Sequence, residues 1–362
     1  GQLLHPSSSV PSIVDLSRAL ASLAGAEGVQ PTPSSTELAG LIGPADHLVF
    51  VLADGLGMNL VEELPPDSFL RSHLAAEMRT VFPSATATVL TSIATGEWPS
   101  RHGVTGWWTH LPEIESAAAI LPFVTRAEGR PLTDLGMTAE KAFPLPSLMG
   151  RMQRDTLALF PGRIAQSVFS AYFSGNRQRH GYKTLQEAVD VTVARVANAS
   201  TPTYTYLYTP LVDNQGHRYG SGRPQVRAAL QELGLQMERL ATGLNGHGRI
   251  VLSADHGLLD APASARHRLT PSFNLMEVLR FPPSGDARVL YFHLRNGADS
   301  GTPQILKQRL GDPFLLISVD EAESLALFGP DPISPLTRSR LGDMIAISQG
   351  PDVIEYEPKG VA

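Results

Sequence analysis

The sequence contains no cysteine. That excludes disulfide bridges, thiolate metal cages and a cysteine nucleophile, so a metal held by this chain must sit on histidine and carboxylate side chains. Long apolar runs are missing too: none approaches the ~18–20 residues that a membrane-spanning helix needs. Nor is there a strong excess of one charge. The 29 Lys and Arg nearly offset the 35 Asp and Glu, for a formal net charge of −6, which gives no whole-chain electrostatic case for a nucleic-acid polymer as partner. No basic-then-apolar leader opens the chain, so the expected compartment is the cytoplasm. What remains is core-forming material. Hydrophobic residues make up 42% of the 362 residues and charged ones 18%, the balance of a folded globule with one large domain or two ordinary ones.

Three apolar runs of strand length organise the chain: His47 to Ala53, Tyr204 to Thr209, and Arg249 to Ala254. Continuous apolar runs suit strands buried on both faces, as in a parallel sheet. Between the second and third, a polar loop is followed by a helix expected from about Pro224 to Leu244. Its Val226, Leu230, Leu233, Met237, Leu240 and Leu244 recur three or four apart and form one apolar stripe. Strand, helix, strand at this spacing is a βαβ unit, so the fold class is α/β, a largely parallel central sheet sandwiched by helices. A weak helical stretch, Val14 to Ala24, and the Pro/Ser-rich QPTPSST read as a lead-in. The segment from about 105 to 200 reads as an irregular insertion in a core spanning 1–285. Short strands at Val289 to Leu294 and Pro313 to Val319 predict a small α+β cap over 286–342. Met344 to Ser348 predicts a return to the core over 343–362.

Each of the three strong strands ends in a polar loop containing aspartate. The first gives Asp54, followed by Gly55. The second gives Asp213 and His217, and the third gives Asp255 and His256. The carboxyl ends of parallel strands share one edge, where such sheets bind ligands. Three Asp and two His there suit Zn²⁺ or Mn²⁺, and two ions if ligands are shared. The stretch TVFPSATATVLTSIATG is dense in hydroxyls and predicts a helix from Thr86 to Thr95 ending at Gly96, with Ser84 or Thr86 near its start. A helix N-terminus offers free N–H groups to an anion such as phosphate.

Taken in order, the Asp54-Gly loop, the FPS…TG…P…HG block, D-x-x-x-H and Asp-His-Gly resemble the alkaline phosphatase superfamily, most closely its nucleotide pyrophosphatase/phosphodiesterase branch. The resemblance spans residues 48 to 257. It implies an alkaline phosphatase-like fold with variable caps and a metal-dependent phosphoric ester hydrolase. The family nucleophile lies ten residues before the Gly of the T-G pair, which falls on Thr86, with Ser84 and Thr88 as fallback positions. The resemblance further implies two divalent ions, zinc or manganese. One would be held by Asp54, Thr86, Asp255 and His256. The other would take Asp213, His217 and a later histidine.

Two departures stand out. Relatives carry the later histidine in a His-Gly motif near the C-terminus. Here only His267 and His293 follow His256; the ligand is expected beyond Ala362, with His267, in a polar loop, as the substitute position within the chain, and His293 is expected to pack. Second, the phosphate-binding Asn of many relatives is matched by Trp107, beside Trp108, an indole that donates one bond at most. The expected partner is a small phosphate ester or nucleotide. A monoesterase, a phosphonate hydrolase and a non-catalytic binding protein on the same scaffold are the alternatives.

Overall fold

The computed structural model describes residues 5–6, 10–269, 277–295 and 301–356. Among them run the strands β1 (His47–Ala53), β2 (Trp108–Leu111), β3 (Ser116–Ala119), β4 (Val124–Thr125), β5 (Asp155–Pro161), β6 (Gln178–Tyr182), β7 (Thr203–Thr209), β8 (Gly248–Ser253), β9 (Arg266–Leu269), β10 (Ser284–Gly285), β11 (Val289–Phe292), β12 (Phe314–Ser318), β13 (Met344–Ser348) and β14 (Val353–Tyr356). Five of them form one parallel sheet in the order β6-β5-β7-β1-β8.

β1 is the sheet's organising strand, and its side chains show why. Successive residues of a strand point to opposite faces. Leu48, Phe50 and Leu52 enter one apolar cluster, with residues of the Ile13–Leu23 and Thr86–Thr95 helices. Val49, Val51 and Ala53 enter another, with residues of the Leu185–Ala197 and Pro224–Leu244 helices. A strand covered on both faces has no polar side to spare, which is why it reads as an unbroken apolar run. The helix Pro224–Leu244 buries all six residues of its expected stripe, with Leu233 and Leu240 fully inaccessible. The parallel sheet between two helical layers is therefore as expected.

The outer parts differ from the sequence reading. The segment 105–200 is not irregular: β5 and β6 belong to the parallel sheet, and the helix Leu185–Ala197 covers it. The strands of 286–342 do not form a sheet of their own. They belong to a seven-stranded antiparallel sheet, β12-β13-β11-β10-β2-β3-β4, that also takes in the hairpin strands of 108–125. Met344–Ser348 sits between β12 and β11 in this second sheet rather than returning to the first. Residues 357–362, including Ala362, lie outside the described residues. The proline-rich stretch after Gln30 is also ordered, as the helix Pro33–Ile42: Thr32 caps it in a reciprocal box with Ser35, and Pro33 occupies a first-turn position that needs no N–H.

A buried cation joins the helix Pro335–Leu341, which precedes β13, to the segments at 103 and 141–142. Arg340 is fully inaccessible, and its guanidinium donates to the carbonyls of Gly103, Ala142 and Lys141. His102, next to Gly103, is bonded to Ser92 of the Thr86–Thr95 helix at 2.9 Å. The helix Pro335–Leu341 is thus tied to Gly103, whose neighbour His102 bonds the Thr86–Thr95 helix.

Candidate metal centre

The loops after β1, β7 and β8 meet at one edge of the parallel sheet because the three strands are neighbours in register. The Asp54 N–H donates to the Thr209 carbonyl at 2.9 Å, and the Asp213 N–H donates to the Asp54 carbonyl at 3.1 Å. The first loop and the second are therefore stitched at the backbone. Gly55 stands in the left-handed region at φ +77, and a Cβ there would lie 3.1 Å from the Asp213 backbone. Gly57 faces the third loop: a Cβ on it would meet Gly257 Cα at 2.3 Å. Backbone cannot yield as a side chain can, so Gly57→Ala is expected to destabilise the fold by about 1–3 kcal/mol and to weaken metal binding. Thermal melts and metal titration check this; a variant indistinguishable from the parent in both would remove the close approach from the account.

The side chains converge accordingly. Ligand atoms of Asp54, Asp213 and His256 all lie within 4.8 Å of one another. His256 Nε2 stands 3.3 Å from Asp54 Oδ1, 3.5 Å from Asp255 Oδ2 and 2.9 Å from the Thr86 hydroxyl. The other ring nitrogen of His256, Nδ1, is bonded to the Gly257 carbonyl at 2.9 Å. That contact makes Nδ1 the protonated nitrogen and leaves Nε2 as the ligand, the usual arrangement of a metal-binding histidine.

Among the described residues, Asp255 and Asp54 divide their oxygens in the same way, one bonded and one not. Asp255 Oδ1 accepts from the N–H groups of Gly55 at 3.1 Å and His256 at 2.9 Å, whereas Oδ2 is buried with no hydrogen bond. Asp54 Oδ2 accepts from the Tyr208 hydroxyl, whereas Oδ1 is buried without one. Asp213 Oδ1 is likewise buried and unbonded, 3.4 Å from His217 Nε2. Buried carboxylate oxygens without donors are costly, and three in one place fit a divalent cation.

The electrostatics agree. Burial, with Asp255 alongside, pushes the Asp54 carboxyl up to about 8. Burial and the charge of Asp54 push Asp213 up to about 6. Burial alone would lower His256, but the carboxylates of Asp255 and Asp54 outweigh it and raise the ring to about 9. The site without an ion resists the charges that its ligands must carry.

Thr86 is the first residue of the helix Thr86–Thr95, whose N-cap is Ala85 and which has no side-chain cap. Its first-turn N–H groups thus have no capping oxygen, and the helix start is open to an anion. Of the fallback positions, Ser84 is exposed and Thr88 is fully buried with an unbonded hydroxyl; Thr86 is the one bonded to His256. The D-x-x-x-H pair lies on a helix, Leu211–Tyr219, where a polar loop was expected. The four-residue spacing then puts Asp213 and His217 on one face. Asp213 is drawn in with Asp54 and His256, while the His217 side chain is 79% exposed.

The remaining expectations fall elsewhere. His267 is bonded to Asp352 at 2.7 Å and lies in β9 rather than in a loop. His293 stacks near His110, with ring centres 4.2 Å apart. Neither joins the Asp54–Asp213–His256 group. Trp107 is half-buried, and its neighbour Trp108 carries the Arg126 guanidinium 3.8 Å above its ring. Asp286 escaped the sequence reading. It follows β10, whose Gly285 pairs with Trp108, and burial raises its carboxyl against the lowering by the Ala287 N–H and the charges of His256 and His217. An isolated Asp in a short turn carries no local signal of such a place.

Comparison with known proteins follows the same line. The family described as type I phosphodiesterase / nucleotide pyrophosphatase matches residues 48–289. No curated protein sequence matches the chain. Among solved structures, murine ectonucleotide pyrophosphatase/phosphodiesterase 5, in an inactive variant in complex with AMP, superposes with a TM-score of 0.64 at 13% identity. The match covers 87% of this chain and 81% of that one. Its human counterpart gives 0.62 at 13% identity, over 86% and 80%. No helix among the described residues is long and apolar enough to cross a membrane.

Proposed function

Because the chain belongs to the type I phosphodiesterase/nucleotide pyrophosphatase family, hydrolases that act on phosphoester bonds, we propose that it cleaves a small phosphodiester of the nucleotide class through a covalent phosphothreonine on Thr86. The observation that carries this reading is the Thr86 hydroxyl, at an uncapped helix start and 2.9 Å from His256 inside the carboxylate cluster. Two divalent ions, zinc or manganese, fit the donor set of Asp54, Asp255, His256 and Thr86 on one side and Asp213 with His217 on the other. When bound, such ions neutralise the phosphoryl and leaving oxygens and lower the pKa of an attacking hydroxyl.

The chain's own groups do the rest. Thr86 Oγ1 passes its proton to solvent water and forms a bond to phosphorus as the ester oxygen opposite departs with its electron pair. The first-turn N–H groups of the same helix donate to the phosphoryl oxygens, aimed where negative charge accumulates. Water then attacks phosphorus, the Oγ1–P bond breaks, and the proton that the water gives up restores the threonine hydroxyl. Trp107 is the proposed contact for the leaving group or base. The murine neighbour holds AMP and is inactive, which supports a nucleotide as the first ligand to try.

The test is hydrolysis of bis-p-nitrophenyl phosphate against p-nitrophenyl phosphate, with and without added Zn²⁺ or Mn²⁺. Metal-dependent release that favours the diester is the expected result. Preference for the monoester would move the substrate class, and no turnover with metal bound would leave a binding scaffold.

A further inference from the structure

Asp54 differs from its neighbour Asp255 in what holds it. Asp255 is fixed by two backbone N–H groups, which no substitution at those positions other than proline would remove. Asp54 is fixed by one side chain, the Tyr208 hydroxyl bonded to Oδ2. The pleat explains how the two meet. β1 and β7 are parallel neighbours with Leu52 opposite Tyr208. Residues two apart on a strand share a face, so Asp54, just past the end of β1, falls on the face that Tyr208 occupies. Tyr208 is itself held, because its carbonyl accepts from the Tyr182 hydroxyl at 2.7 Å. It packs beside Phe160, with ring centres 6.4 Å apart.

We propose that Tyr208 is a positioning residue of the metal centre: by claiming Oδ2, its hydroxyl turns Asp54 so that Oδ1 alone faces His256 and the ion. A carboxylate so oriented binds through one oxygen in a fixed direction, and it does not have to be reordered when the ion arrives. Without the hydroxyl, both oxygens of a carboxylate that is 2% exposed would lack a donor, and the group would be free to swing. The inference rests on the metal reading given above.

The test measures Zn²⁺ and Mn²⁺ affinity of the full chain by competition with a chromophoric chelator, for the parent, Y208F and Y206F. Tyr206 is the control. It lies two residues away on the same strand and is fully buried, and its hydroxyl has no hydrogen-bond partner among the described residues. Tyr-to-Phe truncation there removes the same atom without touching Asp54. The expected result is a 10–100-fold loss of affinity in Y208F and none in Y206F. Saturating Y208F with Mn²⁺ should then recover diester hydrolysis, which general damage to the fold would not allow. Equal affinity in parent and Y208F overturns the role of Tyr208 while leaving the metal centre standing. A parent that binds neither ion overturns the metal reading, and this inference with it. A Y208F protein that is weaker but not rescued by saturating metal makes Tyr208 a fold residue and also overturns the proposal.

Discussion

Thr86→Ala is expected to reduce turnover by about 10⁴-fold or more, the scale of loss when a covalent nucleophile is removed, while the melting temperature stays near that of the parent. The asymmetry follows from where Thr86 stands. It opens its helix instead of filling it, and Ala87, Val89 and Leu90 behind it carry the packing into the core. Alanine is also the best helix former, so the helix itself is not weakened. Thr86→Ser keeps the hydroxyl and is expected to retain measurable activity. Steady-state kinetics and acid-quench trapping of the phosphoenzyme check both. Full activity in the alanine variant would remove Thr86 from the mechanism and return attention to Ser84, which is exposed beside it.

Metal removal is the second large effect, and its sign depends on pH. Asp54, Asp213 and His256 all have folded-state pKa values above their ordinary ones, at about 8, 6 and 9. The ion-free folded state therefore binds more protons than the unfolded chain across this range. The stability that these three groups contribute is fullest in acid, below the ordinary carboxylate value near 3.8, and declines as pH rises through 6, 8 and 9. A bound divalent ion reverses this, because it must displace the protons to bind and its affinity grows as they leave. Chelator-treated protein should melt at progressively lower temperature from pH 5 to pH 9. Added Zn²⁺ or Mn²⁺ should raise the melting temperature more at pH 8 than at pH 5, and should restore hydrolysis that the chelator abolished. Identical melting curves with and without chelator at pH 8 would contradict the metal centre.

The parts of this molecule that could be read from sequence are those where one physical demand dominates. β1 and β7 lie in the interior of the parallel sheet, and burial on both faces writes itself as an apolar run, while the edge strand β8 reads the same way through its half-buried Ile250, Val251 and Leu252. The Pro224–Leu244 helix buries a single stripe, so its period shows. β6 is different. It is an edge strand, QRHGY, with alternately exposed and half-covered residues, and only its neighbour β5 makes it a strand. The Leu211–Tyr219 helix contains Gly216 and few apolar residues, so local preference points to a loop. Packing against the Pro224–Leu244 helix overrides that preference. Tyr208 and Asp286 were hidden for a related reason: where each lies is set by a partner far away in sequence, through the register of β1 on β7 and the pairing of Gly285 with Trp108.

The place of β1 in the sheet has a consequence for the birth of the protein on the ribosome. β1 emerges early, yet both of its partners, β7 and β8, come from the second half of the chain. Until Thr203 and the residues after it are made, a segment built to be covered on both faces has no strand of its sheet to pair with directly, a state that invites chaperone capture or aggregation. The same late docking brings the third aspartate loop to the other two. The ion-binding edge and the central pairing thus come into existence together, so a metal ion can reward only the finished sheet and gives no foothold to a partly made one.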